Sequence, residues 1–269
     1  MIAWGSLPPH LVVTGVLSAL LLLTVDAAFR PRAWQVRRPA SALRAQEAAV
    51  VVSVTAAVLA VGLIVVWGMA PGETRSRTDL LGEALRGVAA GAVPFGVGGV
   101  IAVVLGRGDA LNRSDRAVHT TLSRLVLLGG YVQQQRGATT VSYIDTPRPF
   151  ACATRDPVPH ILITRGLIEH LTPGQVEAIL AHEEHHLAAR HDRHLRLARL
   201  AAACLPFISA FRAHERRVRL LIELAGDDHA ARVCGAGIAA EALDRYCTLD
   251  PAPGAAERAA RLRRVHARA

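Results

Sequence analysis

The chain has 269 residues, 51% of them apolar and only 20% charged, against about 25% charged in an ordinary globular domain. That composition excludes global disorder and leans toward a membrane protein, while the length admits one or two domains. The net charge of +9 is carried entirely by arginine, since the sequence contains no lysine. Cys152, Cys204, Cys234 and Cys247 show no C-x-x-C spacing and read as reduced packing thiols, which suits a cytoplasmic face.

Three apolar runs lead the chain, over residues 11–29, 48–70 and 87–106. Each is close to the roughly 20 residues needed to cross a hydrocarbon core of about 30 Å. Arg30, Arg32, Arg37, Arg38 and Arg44 follow the first run against one acid, Glu47, whereas charges balance between residues 71 and 86. The positive-inside rule then sets the N-terminus outside and everything after Arg107 in the cytoplasm. The expected location is the cell membrane, in a multi-pass topology.

Beyond Arg107 charges return and histidine becomes frequent. Val118 to Leu128 reads as a helix ended by Gly129-Gly130. Thr139–Tyr143, Phe150–Ala153 and His160–Thr164 are short β-branched or aromatic runs that suit a small sheet. Thr172-Pro173-Gly174-Gln175 then predicts a sharp helix start, with Thr as cap, Pro at the first helical position and Gln closing a capping box. Val176, Ile179, Leu180 and Leu187 continue at helical spacing.

On that helix lies His182-Glu183-Glu184-His185-His186, an H-E-x-x-H pattern. Two histidines four apart share a helical face, so both imidazoles can reach one metal ion, and Glu183 can serve as base for a water at the open position. A solvated, His-rich helix is the plain alternative. Glu223 stands 37 residues after His186, beside Leu220, Leu221 and Leu224. A two-histidine zinc site needs a third protein ligand, commonly a carboxylate, and Asp227, one turn on, can fix a histidine tautomer. The bland reading pairs Glu223 and Asp227 with Arg219 and Arg232.

H-E-x-x-H followed by E-x-x-x-D resembles the gluzincin-type membrane metallopeptidases: the HtpX-like proteases, the CAAX prenyl proteases and the BlaR/MecR-type sensor peptidases. The likeness runs from about Tyr143 to Arg232 and includes Pro149-Phe150-Ala151-Cys152 and Ile161-Leu162-Ile163-Thr164-Arg165-Gly166-Leu167. It implies zinc, one ion per chain, held by His182, His186 and Glu223, with Glu183 as catalytic base and Asp227 behind a ligand. It also implies an edge strand at Phe150, Ala151 and Cys152 that holds substrate. Three preceding spans and a cytosolic catalytic segment are most similar to the BlaR/MecR branch. The expected fold class is therefore a mainly α membrane protein: three N-terminal transmembrane helices (1–106), a cytosolic α+β zincin-like peptidase domain with a small sheet (107–250), and a basic C-terminal tail (251–269).

The sequence departs from the BlaR/MecR branch, which has a further span and an external ligand-binding domain after its peptidase segment, and from the HtpX-like and CAAX branches, which place membrane helices between the two zinc motifs. Leu200 to Phe211 offers about 12 uncharged residues, too few to span, and reads as a buried or membrane-dipping helix. Arg258, Arg261, Arg263, Arg264 and Arg268 read as a solvated tail. The cluster Arg212, Arg216, Arg217 and Arg219 lacks interleaved aromatics, so nucleic acid is not an expected partner. The oxyanion donor is not identified, His229 being one candidate. The function expected is membrane-bound zinc endopeptidase activity at the cytoplasmic face, on a protein substrate and in contact with the lipid bilayer. Regulatory cleavage of a cytosolic repressor, HtpX-like quality control of damaged membrane proteins, and a catalytically silent metal-binding module stand as alternatives.

Overall fold

A computed structural model describes residues 32–69, 87, 98–99, 101–115, 131–155, 158–204, 206, 209–250 and 254–266. Helices α1 (Ala33–Arg37) and α2 (Pro39–Met69) come first, and residues 101–115 are also helical. The strands are β1 (Tyr131–Arg136), β2 (Thr139–Ile144), β3 (Ala151–Thr154) and β4 (His160–Thr164). Helices α3 (Arg165–Ile168), α4 (Pro173–Ala188), α5 (His191–Cys204), α6 (Ser209–Cys234), α7 (Ala236–Leu249) and α8 (Ala255–His266) complete the order.

The four strands form one sheet in the order β1-β2-β4-β3, with β2 and β4 parallel and the other pairs antiparallel. Alternation explains its buried face: Val141, Ile161 and Ile163 point inward onto Leu167, Leu180 and Leu187. Strands β2, β3 and β4 fall on the runs predicted for them. Strand β1 was not expected, because Gln133, Gln134 and Gln135 give it no apolar signal; it is an outer, largely exposed strand turned back at Gly137 (φ 59°). Arg136 fastens it to the next layer, pairing with Glu177 at 2.6 Å and Glu184 at 2.8 Å on α4. The predicted helix at 118–128 lies outside the described residues.

Helix α4 begins as its capping box requires, with the Thr172 hydroxyl accepting from the Gln175 N–H and the Gln175 side chain returning to the Thr172 N–H. Its far side meets α6, α7 and α8 through alanines. Ala178, Ala181, Ala230, Ala231, Ala240, Ala242, Ala255 and Ala259 are all buried in one cluster. Small side chains let these helix axes approach closely, which brings groups on four helices within reach of one centre.

The membrane expectation is corrected here. Among the described residues no helix is long and apolar enough to cross a membrane. The first expected span and most of the third lie outside the described residues, while the middle one falls on α2. The first half of α2 belongs to the folded unit: Ala42 and Leu43 are buried with Val218, Leu221, Ile222 and Ala225 of α6, and Glu47 pairs with Arg193 of α5 at 3.0 Å. The described part is thus helical with a small sheet. The run 200–211 is not one helix either: α5 ends at Cys204, Pro206 sits in a turn, and α6 starts at Ser209.

Gly166 sets the chain entering β3, for a Cβ there would lie 1.9 Å from the Pro147 carbonyl oxygen. Backbone cannot give way as a side chain tip does, so Gly166→Ala should destabilise the fold by about 1–3 kcal/mol. Urea unfolding would measure the loss; an unchanged midpoint would mean that the Pro147 loop carries no fixed position.

Candidate active site

Four apart on α4, His182 and His186 project from one face and bring their Nε2 atoms to 2.9 Å. Helix α6 crosses them at Gly226, where an added Cβ would come within 2.7 Å of the His182 Cε1. This glycine lets the two helices close, and the turn before it places Glu223 at the imidazoles. The Glu223 Oε2 is 3.6 Å from His182 Nε2, and its Oε1 is 3.9 Å from His186 Nε2. Among the described residues these three form the one group whose ligand atoms all lie within 4.8 Å of each other. Tetrahedral metal bonds of about 2.0–2.2 Å put ligand atoms roughly 3.3–3.6 Å apart, so the trio fits a divalent ion after shifts of a few tenths of an ångström.

The reverse sides of the imidazoles are also engaged. His182 Nδ1 faces Asp227 Oδ1 at 3.2 Å, and Asp227 is buried at 4% exposure. His186 Nδ1 faces Nδ1 of the buried His191 at 2.7 Å. Such contacts fix which nitrogen is left for a metal. Burial opposes a proton on His182, but Asp227 and Glu223 outweigh it and raise its pKa to about 10. The same two carboxylates that hold a proton on this ring favour a metal cation in its place. Burial, helped by the neighbouring His182 charge, pushes His186 down to about 3, so its ring is neutral and has a lone pair to give. Glu223 stays well below the usual carboxylate range: burial would raise it, but His182, Arg258 and His186 prevail.

Glu183 lies beside this trio and lines the same cleft, a cavity of about 870 Å³. Burial lifts its pKa to about 7 against the opposing charge of His182, and the Ala153 N–H donates to it. Among the described residues strand β3 pairs with β4 on one side only, and its residues line the cleft. Along this strand the Ala153 N–H is taken by Glu183 and the Ala151 N–H by the Tyr246 hydroxyl. Phe150, Ala151 and Cys152, the expected substrate strand, all line the cavity. The Cys152 thiol is no nucleophile: burial, reinforced by the Glu183 charge, pushes it up to about 12.

The expected ligands His182, His186 and Glu223, the expected base Glu183, Asp227 and the strand residues Phe150, Ala151 and Cys152 all line one cleft. His185 and His229 lie elsewhere: their rings stack on each other with centroids 4.6 Å apart, and neither lines the cleft. Arg219 pairs with Glu215, and Arg232 approaches His229, so the bland pairing for Glu223 and Asp227 is not what the structure holds. Three residues escaped sequence reasoning. His191 was lost in the surrounding histidine enrichment, and Tyr246 stands in no motif. Arg258 was read with the solvated tail, yet it donates to both Glu223 and Asp227.

Two imidazoles from one helix, a carboxylate from the next, and a buried acid beside them on an open strand edge are the parts of a metallopeptidase. Residues 112–239 match the model of peptidase family M48. The Protease HtpX homolog of Moorella thermoacetica is 33% identical over 106 residues, which are 39% of this chain and 34% of that protein. The chain therefore spans about a third of the length of that relative. No solved structure matches it significantly. Together the two matches support a metallopeptidase of the M48 type.

The Glu183 environment has a measurable cost. A glutamate ionises near 4.5 in the unfolded chain and near 7 here, so the folded state binds the extra proton and stability is lost as pH rises through that window. Glu183→Gln cannot ionise. In chelator it should be more stable than the parent above pH 7, by no more than about 3 kcal/mol, with the difference vanishing near pH 4. Urea titrations at the two pH values would show it; a constant difference would mean that Glu183 is solvated.

Proposed function

We propose that this chain is a zinc endopeptidase that cleaves an extended segment of a protein substrate, with His182, His186 and Glu223 holding the ion. The observation that carries the reading is the trio within mutual reach, with Glu183 beside it. Two nitrogens and one carboxylate oxygen suit zinc and leave a position open. When bound, zinc polarises the scissile carbonyl and lowers the pKa of a water.

The chain's own residues supply the rest. Glu183 takes a proton from the attacking water at its carboxylate and delivers it to the leaving amine. A pKa near 7 suits both duties, and the Ala153 N–H keeps the carboxylate aimed. Asp227 holds His182 by Nδ1, leaving Nε2 for the ion. The free edge of β3 can take a substrate strand by backbone pairing, which reads main chain rather than sequence. Such a strand competes with Tyr246 for the Ala151 N–H. Burial keeps the Tyr246 phenol protonated, near a pKa of 12, and so able to donate.

The regulatory reading, cleavage of a cytosolic repressor, rests on likeness to the BlaR/MecR branch. The named relative, a Protease HtpX homolog, speaks for the second reading, clearance of damaged membrane proteins. Intact Glu183 beside a complete ligand trio speaks against a silent module.

Glu183→Gln should bind zinc in the same ratio as the parent, about one per chain, while its proteolysis of an unfolded protein falls by about 10²-fold or more. Metal analysis and fragment mass spectrometry read the two outcomes separately. Undiminished cleavage would remove Glu183 from the chemistry, and absence of zinc from the parent would remove the metal.

We further place the chain at the cytoplasmic face of a membrane. The arginine excess from Arg30 to Arg44 supports that location, as do exposed Val51, Val52, Val58, Leu59 and Val66 on α2. The full chain should float with vesicles containing anionic lipid and stay with them after a high-salt wash. Recovery in the soluble fraction in both conditions would overturn the location without touching the chemistry.

A further inference from the structure

We propose that Arg258, on the C-terminal helix, is a positioning residue of the metal centre, holding Glu223 as a one-oxygen ligand and Asp227 as the partner of His182. The inference rests on the metal reading above. It concerns a residue outside the segment 112–239 that matches the family model.

The guanidinium is nearly enclosed, with its side chain 12% exposed. Its Nε donates to Asp227 Oδ2 at 2.8 Å and its Nη2 to Asp227 Oδ1 at 2.7 Å. The remaining terminal nitrogen, Nη1, reaches Glu223 Oε2 at 2.9 Å. One planar group thus spans both carboxylates of the E-x-x-x-D turn. With Oε2 drawn toward the guanidinium, Oε1 is the Glu223 oxygen without a cationic partner from arginine, and it faces His186 Nε2. Asp227, gripped on both oxygens, cannot swing away from His182 Nδ1.

The helix that carries Arg258 is not a tail. Ala255, Ala259 and Leu262 are at most 1% exposed within the alanine-rich cluster. Three residues on, Arg261 donates to Asp228 Oδ1 at 2.6 Å and to the Val36 carbonyl at 2.8 Å and 3.0 Å, so α8 is pinned to α6 and α1. A fork is required to serve two carboxylates at once. Lysine, a point charge on a flexible stem, cannot reproduce it. Charge alone also matters, since two carboxylates one turn apart, one of them buried, repel each other.

The test uses the full chain and zinc alone. Zinc dissociation constants would be measured by competition with a chromophoric chelator for the parent, Arg258→Lys, Arg258→Gln and Arg263→Ala. Visible spectra of the cobalt-loaded forms would be recorded beside them. Arg263 lies on the same helix and pairs with Asp244 at the surface, so its substitution controls for damage to α8. The expected result is zinc binding about 10–100-fold weaker in both Arg258 variants. Their cobalt spectra should also change in the visible bands, with Arg263→Ala like the parent. Parent-like affinity and spectrum in Arg258→Lys would overturn the fork; the same in Arg258→Gln would overturn the role entirely. Should Arg258→Gln fail to fold, Arg258→Lys decides. A parent that binds no zinc would instead overturn the metal reading beneath the proposal.

Discussion

Two carboxylates one turn apart on a single helix, Asp227 buried and Glu223 36% exposed, are a standing liability, and the structure is organised around their neutralisation. Asp227 cannot be left unpaired away from water, because an uncompensated buried charge costs several kcal/mol, and Glu223 adds a second negative charge one turn away. They are met from two sides: imidazoles from α4 on one, the Arg258 guanidinium from α8 on the other. A proton on His182, whose pKa the two carboxylates raise to about 10, completes the balance, and the trio of ligand atoms within 4.8 Å is where a cation could take its place.

That electrostatic demand dictates the packing. Four helices meet around one centre, so their contacts are made largely of alanine, and the crossing of α4 with α6 needs no side chain at all at Gly226. The sheet then has one task at the site, to present a strand edge. Arg136 keeps β1 on α4, the parallel pair of β2 and β4 forms the buried middle, and β3 is left with an open side at the cleft. Glu183 ties the two systems together, because its own hydrogen bond comes from that open edge.

What the sequence revealed was local in character. Histidines four apart, a carboxylate and its companion four apart, and a Thr-Pro-Gly-Gln cap depend on a single helical turn, and each stands where its spacing placed it. Strands β2 to β4 declared themselves through β-branched runs, whereas β1, polar on an outer edge, did not. The tertiary partners stayed hidden. His191 needs the turn at Arg190, whose φ is 51°, before it can fold back on His186. Arg258 looked like one more charge in a solvated run, since nothing in a basic helix says which arginine turns inward. Hydropathy misled in the other direction: the run on α2 was weighed alone, while the helix it extends begins inside the fold at Ala42 and Leu43.

The all-arginine composition gains a structural meaning at the same points. The surface pair of Arg219 with Glu215 is one that either basic residue would serve. Arg136, Arg258 and Arg261, all at least partly buried, bridge two acceptors on separate turns or separate elements: Glu177 and Glu184, Glu223 and Asp227, Asp228 and the Val36 carbonyl; the exposed Arg165 does so with Asp145 and Glu169. A bridge of that kind uses the planar fork rather than the charge, and it holds its partners at fixed separation. Two of the three stand on consecutive turns of α8 and grip consecutive residues of α6, Asp227 and Asp228, from the side opposite the imidazoles. The turn that carries Glu223 and Asp227 is thus clamped between two helices.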